Sequence, residues 1–331
     1  MARMEENDIG MGHIHGIANA FKQSQILFAA HAAGLFDFLA KEKTESALAK
    51  ALGWSPRGTR FMLRALAAMG LVTARGARWR NAPAAAACLQ SGAPDDQEAF
   101  LRHTRRGYDD WARLDACLRG AAAKRGRHRE GSEAERDYVR AMHAIALHNA
   151  PQCAALVDCS GRRRLLDLGS GMGAYAAAFL QAWPSLRLVL VDTRTVLAMA
   201  REYLAARGVA DRCEFVAGDA RRVALPAALD IIWISNVLHA WSPEECRACI
   251  GRCFAALRPG GVLYIRDFLD DEAPGAADFH PVFGLDMMLH SEGGGCYTTA
   301  EVAAWTREAG FKKGRLLCAG RKSRIWTARK P

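Results

Sequence analysis

The sequence predicts an α/β protein, a doubly wound parallel sheet preceded by an all-α domain of winged-helix type. Three observations carry this reading. From Arg164 onward, short apolar runs alternate with helical patterns, as they do when crossover helices cover both faces of a parallel sheet. The first hundred residues instead alternate helical patterns with short breaks and close on two extended runs around a turn. The chain has 331 residues, 50% hydrophobic and 24% charged, with only 11 prolines. That is material for about two globular domains, and it excludes wholesale disorder or a collagen-like repeat.

In chain order, Gly16 to Ala40 is apolar enough for one long helix and Glu45 to Leu52 for a second. Ser55 to Met69 opens on Ser-Pro, a cap followed by a residue preorganised for the first turn. Leu71 to Thr73 and Arg78 to Arg80 flank a turn containing Gly76, the pattern of a β-wing. Gln97 to Gly120 and Ala134 to Val157 are further helical stretches. The candidate sheet strands are Leu165 to Leu168, Leu186 to Val191, Cys213 to Ala217, Ile231 to Ser235 and Val262 to Arg266. A long insertion follows, then a helix from Thr299 to Ala309 and two antiparallel strands, Gly314 to Cys318 and Arg324 to Ala328. The expected divisions are residues 1–100, a helical linker at 101–160, and 161–331.

The net charge is +10, which permits nucleic-acid, membrane-surface or anionic-ligand partners without choosing among them. The basic runs Lys124 to Arg129 and Lys312 to Lys330 fit solvated loops and edge strands. Arg57, Arg60 and Arg64 would suit the second helix of a DNA-binding helix-turn-helix, but a winged helix with apolar helices serves equally as a dimerisation platform, and Phe21 to Phe38 is too apolar to stand alone in water. Ten cysteines scattered along the chain lack the density of a disulfide scaffold. Cys246, Cys249 and Cys253 share one helical face and pack as core rather than as a zinc site. No apolar run approaches the roughly 20 residues that span a bilayer, and Met1 to Gly16 carries acids and histidines in place of a signal-peptide core. A cytoplasmic protein without membrane partners is expected.

The chemistry gathers at the strand ends. LLDLGSGMG, Leu165 to Gly173, sets an apolar strand against a glycine turn that opens a helix. Gly169, Gly171 and Gly173 let backbone turn sharply beside a ligand, and Asp167 can accept a hydrogen bond or pair with a cation. The spacing is not the GxGxxG that cradles a dinucleotide pyrophosphate. Asp192, ending LRLVLVD, is placed to hold two ribose hydroxyls. Asp219 ends the third strand, where it can accept from the exocyclic amine of adenine. Three carboxylates in a row suit a polar or cationic nucleoside, not a polyphosphate.

LLDLGSGMG, LVLVD, FVAGDA, NVLHAWSPEECRACIGRCFAALRPGGVLYIRDF and GGGCYTTAEVAAWTREAGF together resemble the S-adenosylmethionine-dependent O-methyltransferases of the caffeate and acetylserotonin type. The likeness covers the whole second half and extends to the helical first half. It implies a seven-stranded class I methyltransferase sheet, an N-terminal winged-helix domain that pairs two copies, S-adenosylmethionine as cofactor, and a small, aromatic, hydroxylated acceptor. It makes Gly169, Gly171 and Gly173 the cradle of the cofactor's amino-acid part, Asp192 the ribose acceptor and Asp219 the adenine contact. Ala220 stands where the family has a bulky apolar residue, and Trp241 would pack near the adenine instead.

The same resemblance makes His239 the catalytic base, since a hydroxyl is a poor nucleophile until its proton is removed. Asp267 would orient the imidazole. Ala240 and Cys296 occupy positions where plant-like members carry further acids. Tyr138 and Met142 on the linker helix, with Asp286, Met287, Met288 and His290, would contact the acceptor. His290, His239 and Asp267 have the side chains for a histidine and carboxylate metal site, but no resident metal is expected. The rival readings are methyl transfer to a thiol, carbon or nitrogen atom, and a winged-helix regulator bound to DNA; no nucleic acid is expected as a partner.

Overall fold

The structure, a computed structural model, describes residues 10–93, 95–121, 130–271, 279–319 and 322–331. The basic run Lys124 to Arg129 lies outside the described residues. The chain divides into two compact units, one ending at Arg105 and the other running from Arg106 to Pro331.

The first unit is helical with a small wing. Where one helix was expected from Gly16 to Ala40 there are three, Met11–Asn19, Phe21–Ala32 and Leu35–Phe38. The last break falls at Gly34, whose φ of 71° is left-handed and ends the helical path. Helix Pro56–Ala68 starts as the sequence predicts: Ser55 accepts from the Gly58 N–H and Pro56 fills the first turn. Val72–Arg75 pairs antiparallel with Arg78–Asn81, which pairs in turn with Lys43–Thr44. Leu35, Phe36, Leu39, Leu48, Leu63 and Leu66 form the core, each almost wholly buried. Arg60 pairs with Glu45 at 3.0 Å, and Arg57 lies over the Phe61 ring.

The second unit is built on a seven-stranded sheet. Its strands in chain order are Arg164–Leu168, Arg187–Asp192, Cys213–Ala217, Leu229–Ser235, Leu257–Asp267, Lys312–Ala319 and Arg324–Arg329. Their spatial order is third, second, first, fourth, fifth, seventh, sixth. The first five are parallel and the seventh runs antiparallel between the fifth and sixth. Alternation decides what each face buries. Leu166, Leu168, Val191, Ile232 and Ile234 pack with Cys246, Cys249 and Cys253 of helix Pro243–Ala256, while Leu165, Leu188, Leu190, Ile231 and Trp233 pack under helices Ala174–Ala182 and Arg194–Ala205. Because the order reverses between first and fourth strands, their C-terminal ends diverge and leave a crevice there.

Two segments differ from the sequence reading. Gln97 to Gly120 is two helices, Glu98–Trp111 and Leu114–Leu118. The insertion after the fifth strand contains helix His280–His290, with Pro281 in its first turn. Among the described residues, no helix is long and apolar enough to cross a membrane.

Candidate active site

The first strand delivers the glycine turn directly into the crevice. The N–H groups of Gly169 and Ser170 both donate to the Val191 carbonyl, at 2.9 and 3.2 Å, tying the turn to the second strand. A side chain at Gly169 would place its Cβ 2.8 Å from Val237, so only glycine fits beneath the fourth-strand loop. Gly171 differs: its φ is 54°, but among the described residues nothing lies within 4 Å of where its Cβ would be, so the turn faces open space there.

Asp192 is braced from below. Its Oδ2 accepts from the Gly171 N–H at 2.9 Å and its Oδ1 from the Thr193 N–H at 2.8 Å. Burial nevertheless pushes its carboxyl up to about 6 against those two donors, with Glu135 adding to the rise. Asp167, 1% exposed, has an Oδ2 with no hydrogen-bond partner among the described residues. Burial, then the charge of Asp192, raises its carboxyl to about 8. Glu135 is a third acid here that the sequence reading missed: it is buried, accepts from the Gly131 N–H at 2.6 Å, and meets Thr193 Oγ1 at 3.4 Å. Its only sequence signal is its place in the first turn of helix Glu133–Leu156, behind the Ser132 cap.

These residues suit the cofactor expected from the sequence. A tight glycine turn, a braced carboxylate for paired hydroxyls and an unsatisfied buried acid for a cationic group are the features an S-adenosyl amino acid requires. The structure puts Trp241 and Ala220 against the same apolar core. Asp219 is exposed and already held by Arg221, at 2.8 Å.

The catalytic candidates stand at the ends of the fourth and fifth strands. His239 Nδ1 lies 2.7 Å from Asp267 Oδ1. Asp267 is also fixed by two backbone donors: the Leu238 N–H donates to Oδ2 at 2.9 Å and the Phe268 N–H to Oδ1 at 2.8 Å. Burial alone would raise this carboxyl, yet the His239 contact and those N–H groups hold it below its ordinary value. It therefore stays ionised.

Around His239 is a wall of rings that the sequence reading also missed. Phe268 and Phe283 lie 5.4 and 5.0 Å from the imidazole, and Phe279 stacks on Phe283 at 5.3 Å. Phe283 comes from helix His280–His290, so overlooking that helix hid the wall. Cys296 is not a second acid for the base. Its thiol donates to the His280 carbonyl at 3.4 Å, and burial pushes it up to about 12.

Of the expected acceptor contacts, Met287 is buried and Met288, Tyr138 and Met142 are half-buried. Asp286 and His290 belong to a polar group with Trp111 and Asp110. His290 Nδ1 lies 2.8 Å from the Asp286 carbonyl and its Nε2 3.2 Å from Asp110, while Trp111 donates to Asp286 at 3.3 Å. Among the described residues, no group of three or more His, Cys, Asp or Glu is placed to hold a metal ion.

Known proteins resemble this chain in sequence and fold. Residues 120–312 match the O-methyltransferase domain family and residues 16–91 the O-methyltransferase dimerisation domain. The chain is 32% identical over 314 residues to 3-hydroxy-5-methyl-1-naphthoate 3-O-methyltransferase of Streptomyces sahachiroi, covering 91% of this chain and 89% of that one. It is 31% identical over 294 residues to acetylserotonin O-methyltransferase of Rattus norvegicus, covering 84% and 67%. The solved structure "PigF with SAH" superposes with a TM-score of 0.85 at 25% identity, covering 97% of this chain and 100% of that one.

Proposed function

The chain belongs to the O-methyltransferase family, and from that premise we propose that it methylates a hydroxyl of a small aromatic metabolite with His239 as base. The observation that carries this reading is the 2.7 Å His239–Asp267 pair, ringed by Phe268, Phe279 and Phe283. The cofactor is S-adenosylmethionine, which when bound supplies a methyl carbon made electrophilic by its sulfonium sulfur.

The remaining work falls to the chain's own residues. The carboxylate of Asp267 can only accept, so Nδ1 of His239 carries its proton toward it and the lone pair is on Nε2. Nε2 takes the acceptor's hydroxyl proton as the oxygen becomes a nucleophile, and the imidazolium that results is stabilised by ionised Asp267 before the proton passes to water. The phenylalanine wall holds a flat ring and excludes solvent from that hydrogen bond. With Asp267 as the one acid paired to this base among the described residues, a phenol, whose ordinary pKa is about 10, suits the site better than an alcohol. Gly169, Gly171 and Gly173 would seat the amino-acid part of the cofactor and Asp192 its ribose.

The winged helix, in this reading, pairs two copies rather than gripping duplex DNA. Residues 16–91 match a dimerisation domain, Arg60 is engaged by Glu45, and Met11, Ile14 and Ile17 present an exposed apolar stripe at helical spacing. The ten cysteines are unpaired thiols, which suits the cytoplasm.

Incubating the protein with S-adenosylmethionine and panels of phenols, hydroxy acids, amines and thiols, followed by mass spectrometry, is expected to add one methyl to a phenol. Methylation confined to amines or thiols would overturn the assignment of the acceptor.

The acid pair beneath the cofactor gives a second test. In the unfolded chain an aspartate titrates near 3.9, whereas folded Asp192 and Asp167 titrate at about 6 and 8. The free fold therefore holds protons that the unfolded chain has lost, and this pair makes stability fall as pH rises between those limits. A cationic ligand seated beside the pair favours its ionised form. Binding of S-adenosylmethionine at pH 7 is thus expected to release up to about one proton, measured by calorimetry in buffers of different ionisation enthalpy. Proton uptake, or heats independent of the buffer, would remove Asp167 from the site.

A further inference from the structure

Asp219 is not free at the end of the third strand. Its Oδ1 accepts from the Arg221 backbone N–H at 2.9 Å and from Nε at 3.0 Å, and its Oδ2 accepts from Nη2 at 2.8 Å. The third guanidinium nitrogen, Nη1, donates to Glu245 Oε1 at 3.0 Å. Glu245 is itself fixed, because its Oε2 accepts from the Ser242 N–H at 3.0 Å in the capping box of helix Pro243–Ala256. All three nitrogens of the fork are therefore anchored, by carboxylates on two different elements.

The plane is anchored but not covered, since the Arg221 and Asp219 side chains are 39% and 40% exposed. It also lies at the right edge of the crevice. Asp219 follows Gly218, whose N–H donates to the Asp192 carbonyl at 2.9 Å. Ala220 between them is packed against the apolar core and has only a methyl group. A planar, delocalised guanidinium stacks on aromatic rings, and it does so best when its orientation is already fixed.

Resting on the cofactor reading above, we propose that Arg221 is a positioning residue for S-adenosylmethionine: its guanidinium is the platform for the adenine ring, and its grip on Asp219 withdraws that carboxylate from recognition of the exocyclic amine. The base is then held by its face and shape. The carboxylate serves the arginine.

The test is calorimetric titration of the full chain with S-adenosylhomocysteine and with its 6-deamino analogue, in which hydrogen replaces the amine. The wild-type protein is expected to bind the two within about threefold, because no charged acceptor rewards the amine. Arg221→Ala is expected to weaken the 6-deamino analogue about tenfold through loss of the stacked plane. The adenine form should lose less, since the released Asp219 then accepts from its amine. Arg221→Lys, which keeps the charge but not the plane, should behave like Arg221→Ala. A merely structural role would move both ligands together and leave their ratio unchanged. Melting of the unliganded variants checks that they fold.

Four results would overturn the proposal: tenfold discrimination by the wild-type protein, equal weakening of both ligands in Arg221→Ala, an Arg221→Ala variant that binds the 6-deamino analogue as the wild type does, or an Arg221→Lys variant that matches the wild type. Failure of the wild-type protein to bind S-adenosylhomocysteine at all would instead refute the cofactor reading.

Discussion

Replacing His239 by alanine is expected to lower kcat by about 10²- to 10⁴-fold, the usual worth of a positioned general base. Affinity for S-adenosylhomocysteine should stay nearly constant, because the proposed seat of the cofactor rests on the glycine turn and Asp192 and not on this ring. The two quantities separate the base from a bystander. His239 packs against Phe268 and Phe283, so its loss also leaves a gap, and a thermal melt is needed beside the kinetics. If turnover is unchanged in a folded variant, alignment of the acceptor alone suffices and the assignment of the base is wrong.

Gly171→Val is expected to abolish cofactor binding. At a φ of 54° a β-branched residue is strained by about 1–3 kcal/mol, and its side chain would enter open space rather than meet protein atoms. In the proposed reading, that open space receives the cofactor. The strain also disturbs the Gly171 N–H that braces Asp192, so two contacts fail together. Calorimetry with S-adenosylhomocysteine reads the loss, and a melting temperature lowered only modestly shows the fold intact. Tight binding by this variant would take the glycine turn out of the cofactor site. Gly169 makes a useful contrast, because a side chain there collides with Val237 and would damage the protein before any ligand arrived.

How much could be read from the sequence followed from how local each signal is. The parallel strands were legible because each is a largely apolar run, a pattern that burial on both faces imposes. Asp192 and the glycine turn stood out because chain order puts them at the ends of the second and first strands, whereas His239 was singled out by the family resemblance. Helix His280–His290 was not. With Met, Leu and Phe around much of its circumference and a glycine inside, HPVFGLDMMLH has no polar stripe to mark its period. Phe283 and Phe279 went unnoticed with it. Glu135 and the Arg221 grip on Asp219 depend on side-chain directions that pattern does not encode. The single helix expected from Gly16 to Ala40 failed at Gly34, where one left-handed residue outweighed a favourable composition.

The sheet order described above divides the crevice between two stretches of chain. Most of what is proposed to hold the nucleoside hangs from the first three strands, with Trp241 joining from beyond the fourth, whereas the phenylalanine wall, Phe268, Phe279 and Phe283, comes from beyond the fifth strand. Substitutions in one stretch leave the backbone of the other untouched. The ring wall that would meet the acceptor can therefore be redrawn by substitutions after the fifth strand while the proposed seat of the methyl donor keeps its backbone.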